Sequence, residues 1–223
     1  FRERVHLGQV QPYYEAHLRG GGWPEGWNYG PLATFMMSWP ALVAGGAPGG
    51  WDLLRDPRAP FSFPIEQGAQ LLHFSWPDRR TLDDRQIQYE GPNPSAAQPA
   101  LFTTQAGTLR LLGDPLAPLF QRFAREVRGA QPGDVQPWVE FLFWDEEAPE
   151  RDYRALPRSF LARGMNTVAM RSSWETDAVW ASFTSGPYVN NPDSGEQYFD
   201  QGSLAIVRGG RPLLVNAPAA LDR

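Results

Sequence analysis

An α+β fold, with helices first and antiparallel strands after them, is predicted by three observations. Up to about residue 150 the apolar side chains recur with the spacing of one helix face, interrupted by Gly and Pro. From Gly164 the period shortens to two, the alternation of a strand with unlike faces. Gly209-Gly210 then separates Leu204 to Arg208 from Arg211 to Val215, a two-residue hairpin signal.

Each element has its own warrant. Val10, Tyr14, His17 and Leu18 share one helical face, and Gly20-Gly21-Gly22 ends that segment. Asn28 is an N-cap for a second helix through Leu32, Phe35, Met36, Trp39 and Val43, which Pro40 should kink or divide. Pro64 opens a third with Ile65, Leu72 and Phe74, stopped by Pro77. Pro99 opens a fourth through Leu101, Leu109 and Leu112, stopped by Gly113. Asp114-Pro115 reads as an N-cap followed by Pro at the first helical position, ahead of Leu116, Leu119, Phe123 and Val127. Asp78 to Gln98 is too long for an ordinary connection. Trp138 to Trp144 is the last apolar segment before the period changes. In the strand region Thr167 to Arg171 and Ala178 to Thr184 alternate, with Val168 and Met170 on one face, and likewise Val179, Ala181 and Phe183. The domain division follows: 1–150 helical, 151–223 antiparallel strands. Such a sheet has open edges and a poorly covered face, which predicts that it continues beyond Arg223. The opening Phe1, with no Met before it, predicts a longer natural N-terminus.

Composition bounds the function. A net charge of −5 argues against a nucleic-acid or anionic-membrane partner, and no apolar run reaches the ~20 residues of a membrane span. With no Cys, disulfides and thiolate metal sites are excluded. All 20 basic residues are Arg. Nine Trp suit stacking on sugar rings as well as filling a core.

Two stretches carry a family resemblance. The first runs Gly164-Met165-Asn166-Thr167-Val168-Ala169-Met170-Arg171-Ser172-Ser173-Trp174, then Asp177-Ala178-Val179-Trp180-Ala181-Ser182-Phe183. Asp200-Gln201-Gly202-Ser203-Leu204 and Gly209-Gly210-Arg211-Pro212-Leu213-Leu214 follow it. The second is Gly22-Trp23-Pro24-Glu25-Gly26-Trp27-Asn28-Tyr29-Gly30. Together they resemble the heparinase II/III-like polysaccharide lyases. The resemblance implies that residues 1–150 are the C-terminal part of an (α/α) toroid and that 151–223 begin a β-sandwich. It also implies a substrate cleft between the two and a periplasmic or extracellular location.

The chemistry implied is β-elimination on a uronate-containing, acidic polysaccharide. A base takes the C5 proton, donors neutralise the carboxylate, and the leaving C4 oxygen is protonated. Tyr29 matches the family's catalytic tyrosine. Where the family carries His-x-His-x-Asp, this chain reads Glu196-Gln197-Tyr198-Phe199-Asp200. Glu196 therefore stands at a catalytic position and Tyr198 at a metal-binding one. A carboxylate at 196 cannot neutralise the carboxylate of the substrate, and with both histidine positions altered and no Cys, no zinc and no other cofactor are expected. Trp23, Trp27, Asn28, Glu25, Arg79 and Tyr198 are the expected substrate contacts. Arg79, with Arg80 and Arg85, lies in the long loop, where guanidiniums either meet a uronate or answer Asp78, Asp83 and Asp84. His6, His17 and His73 have no metal-ligand spacing. Two alternatives stay open: a non-catalytic glycan-binding or envelope protein on the same fold, and a toroid glycoside hydrolase, for which Glu25 and Glu90 are nominal carboxylates.

Overall fold

A computed structural model describes residues 2–23, 36–40, 42–82, 95–131, 133, 135–186 and 201–214. The chain opens with a helical run in which wide π turns at Arg2–Val10 and Tyr14–Leu18 flank one α turn at Gln11–Tyr13. Tyr14 and Leu18 are its fully buried side chains, on the face the spacing predicts. Helical turns follow at 36–40 and 42–46, around Pro40.

Four regular helices come next: α1 (Phe63–Phe74), α2 (Pro99–Leu111), α3 (Ala117–Ala130) and α4 (Pro137–Phe143). Each has Pro in its first two positions, where the missing N–H is no loss. The predicted start of α3 is corrected. Asp114 accepts from Leu116 N at 2.8 Å and its carbonyl accepts from Ala117 N at 2.9 Å. It therefore closes a turn before the helix, and Pro118 holds the early position expected of Pro115.

Strands β1 (Thr81–Leu82) and β2 (Ser95–Ala96) pair with each other and tie together the two ends of the long connection. They were not foreseen, since two residues display no period. The main sheet has five antiparallel strands in chain order: β3 (Ser159–Ala162), β4 (Thr167–Arg171), β5 (Val179–Thr184), β6 (Leu204–Arg208) and β7 (Arg211–Leu214). The β6–β7 hairpin turns at Gly209-Gly210, with Gly209 in the left-handed region at φ 58°. The α+β class therefore holds, with the helices preceding the five-stranded sheet.

Three cores form, and α1 contributes to all of them. Leu71 and Leu72 pack with Phe102 and Leu109 of α2 and Phe120, Phe123 and Val127 of α3. Phe63 packs with Tyr14, Leu18, Leu53 and Phe61. Phe74, with Trp76 beyond the helix end, packs on Trp180, Ala169, Ala205 and Val207 of the sheet. A helix buried on nearly every side explains the apolar density of Phe63–Phe74.

Candidate functional site: a cleft where helices meet the sheet

The helical run ends at Leu18, and Arg19 leaves it with ψ 129°. Gly20 and Gly21 follow at φ 86° and 77°, in the region that L side chains avoid. A Cβ at Gly20 would come within 2.7 Å of the Ala162 Cα, and one at Gly21 would collide with the backbone of Gln67. One at Gly164 would collide with the His17 carbonyl group, and Gly164 N donates to Arg19 O at 2.6 Å. At these glycines the backbone is approached by the protein itself, and they press this segment between α1 and the β3–β4 turn.

Around that junction the side chains form one polar cluster. Arg19 donates through Nε and Nη2 to the two oxygens of Glu15 at 2.8 and 2.7 Å. Its Nη1 donates to Tyr14 Oη at 2.7 Å and to Glu66 Oε1 at 3.3 Å. Glu66 Oε2 accepts from Gly20 N at 2.8 Å, which fixes the turn. Burial, reinforced by the charge of Glu66, pushes the Tyr14 phenol above its usual range. The hydrogen bonds to Glu15 hold Arg19 more firmly protonated than a free guanidinium.

Glu15, Arg19, Gly20 and Glu66 line a cleft of about 710 Å³, within the range of small-molecule sites. The floor is apolar, with Ile65 and Ala69 of α1, Leu116, and Phe160 of β3. Arg163, exposed on the β3–β4 turn, stands on the rim. Glu15, Arg19, Glu66 and Arg163 were not singled out in the sequence. Glu15 and Arg19 have helical i, i+4 spacing that signals a pair. The link to Glu66, 47 residues on, has no sequence signature.

The expected substrate contacts fare differently. Trp23 is half-buried and packs edge-on to Phe63 with ring centroids 6.4 Å apart, at the margin of the N-terminal core. Tyr29, Glu196, Trp27, Asn28, Glu25 and Tyr198 lie outside the described residues, as do Arg85 and Glu90. Arg79 is corrected from a substrate contact to an interior residue, 2% exposed. At φ 62° it turns the chain inward. Its Nη2 donates to Tyr153 Oη at 2.8 Å and Trp174 O at 2.6 Å, and its Nη1 to Pro77 O at 2.9 Å. Its Nε faces Glu126 at 3.4 Å. Buried and held by these four hydrogen bonds, the guanidinium serves the interior and does not face a surface ligand. Arg80 remains outside, its backbone N–H held by Asp78 at 2.9 Å.

Of the histidines, His6 and His73 are buried and His17 is half-buried. Burial lowers the pKa of His6, partly offset by Asp56. Among the described residues no three His, Cys, Asp or Glu converge as a metal-holding group. No described helix is long and apolar enough to cross a membrane. No protein-family model matches the chain, and no curated protein matches it.

Proposed function

We propose that the protein is a polysaccharide-lyase-like protein acting by β-elimination on a uronate-containing glycan. Its cleft lies where the helical part meets the sheet. Residues 1–150 then correspond to the end of an (α/α) toroid and 151–223 to the first strands of a β-sandwich, in a protein of the periplasm or cell exterior. The observation that supports it most is the seating of Arg19 to Gly22 on the β3–β4 turn. The stretch that resembles the family's tyrosine loop follows that junction in sequence, and a cleft lined in part by apolar side chains opens at the junction.

In this reading Tyr29 moves the proton at the scissile bond, with Glu196 opposite. Trp23 and Trp27 serve as sugar platforms, and Asn28, Glu25 and Tyr198 as polar contacts. Glu196 and Tyr198, in place of two histidines, favour a second reading in which the protein binds the glycan and does not cleave it. Ultraviolet absorbance of unsaturated uronate, followed with the intact protein and uronate polysaccharides, separates the two. Wild-type protein generates the chromophore, and Tyr29→Phe abolishes it while folding stability stays within about 1 kcal/mol. Undiminished turnover by Tyr29→Phe rejects the tyrosine's role, and no chromophore with any uronate glycan favours binding alone.

A further inference from the structure

The two guanidiniums at the rim of the junction cleft differ in what they touch. Arg19 has every nitrogen engaged, by Glu15, Tyr14 and Glu66. Arg163 is exposed on the β3–β4 turn, and among the described residues its guanidinium meets no hydrogen-bond or ion-pair partner. Its backbone is fixed nonetheless, since Asn166 N donates to Arg163 O at 3.2 Å and Gly164 N to Arg19 O at 2.6 Å. The cleft thus offers apolar side chains at Ile65, Leu116 and Phe160, two carboxylates that share the single positive charge of Arg19, and an exposed guanidinium whose five donors meet no partner among the described residues.

A pyranose laid on that floor buries its C–H face, and its hydroxyls can donate to Glu15 and Glu66. A neutral sugar satisfies both surfaces yet leaves Arg163 unpaired. A sugar with a ring carboxylate satisfies all three, because a guanidinium matches a carboxylate through two parallel N–H bonds. We infer that Arg163 is the specificity-determining residue of this cleft, pairing with the carboxylate of a uronate seated between α1 and β3. This rests on the glycan reading above and adds to it the contact that separates acidic from neutral sugars.

The test is binding, by titration calorimetry of the intact protein with a uronic-acid tetrasaccharide and with its carboxyl-reduced, neutral counterpart. Wild-type protein prefers the acidic form. Arg163→Ala weakens the acidic form by about tenfold, the loss of one charge-assisted bidentate pair, and leaves the neutral form unchanged. Arg163→Lys falls between, since an ammonium keeps the charge and loses the fork. An unchanged melting temperature shows that the exposed side chain carries no fold. Equal affinity of Arg163→Ala and wild type for the acidic form overturns the inference, as does wild-type indifference to the carboxylate or failure to bind either form. Turnover is not needed. An inactive protein that discriminates through Arg163 rejects elimination and keeps this contact, whereas an active lyase indifferent to Arg163→Ala does the reverse.

Discussion

Arg171 leaves β4 toward the C-terminus of α1 and donates through Nη2 to the carbonyls of His73 at 2.8 Å and Ser75 at 2.9 Å. No carboxylate faces it among the described residues. Its counterparts are the negative end of the helix and the Trp174 ring, 4.0 Å from the guanidinium carbon. Burial, followed by the charge of Arg79, pulls its pKa down to about 9, so it stays protonated at neutral pH. Arg171→Met strips these carbonyls of their donor and should destabilise the fold by about 3 kcal/mol in urea unfolding. A change below about 0.5 kcal/mol would show that water replaces the guanidinium at no cost. His73, beside it, is stacked on Phe160 at 5.0 Å, and burial, then Arg171, lowers its pKa to about 3. The unfolded chain takes up that proton near pH 6.5 and the folded chain only near 3, so the unfolded state binds more protons between them. Stability from this group is full above about 6.5 and falls as the pH drops toward 3, by on the order of 4–5 kcal/mol across the window. His73→Phe should flatten that acid limb in urea midpoints at pH 4 and 7; an unaltered slope would contradict it. Little of this was legible. The sequence presents Arg79 as a substrate contact in a long loop and assigns Arg171 no role of its own, because Trp174 O lies 95 residues from the first and His73 O 98 from the second.

At the scale of elements, period revealed β4 and β5 and the Gly209-Gly210 turn revealed β6 and β7, whereas the four residues of β3 carry neither signal. Period also leaves open which face is inside. Val168, Met170, Val179, Ala181 and Phe183 do share faces, but those faces look outward. The buried row is Thr167, Ala169 and Arg171 on β4 and Trp180, Ser182 and Thr184 on β5. The burial of a small and polar row under Phe74 and Trp76, opposite an apolar row, is set by what α1 brings to the sheet. Trp180→Ala should therefore cost about 3–5 kcal/mol, and Phe183→Ala, at a residue 37% exposed, less than about 1.5. The reverse order in denaturant melts would invert the assigned faces. The glycine segment makes a second demand. Gly21→Ala places a Cβ into the Gln67 backbone at φ 77° and should destabilise by about 2–4 kcal/mol. It should also free the segment from the β3–β4 turn, seen as lost amide protection at Gly164, whose N–H is bonded to Arg19 O.

For the whole molecule, α1 is the member around which helices, sheet and N-terminal run are arranged, and the cleft is what remains open among them. The order of helices and strands was readable because each half keeps one period. The cleft was not, because Glu15, Glu66 and Arg163 come from three separate elements. The claim that unites fold and function is β-elimination on an acidic glycan. The most direct test is the mass of the oligosaccharides released from a uronate polysaccharide by the intact protein. Elimination predicts fragments whose new non-reducing end is lighter by one water than the hydrolytic product and carries a double bond. Fragments with the full mass of a hydrolysed chain would contradict it and assign the cleft to glycoside hydrolysis.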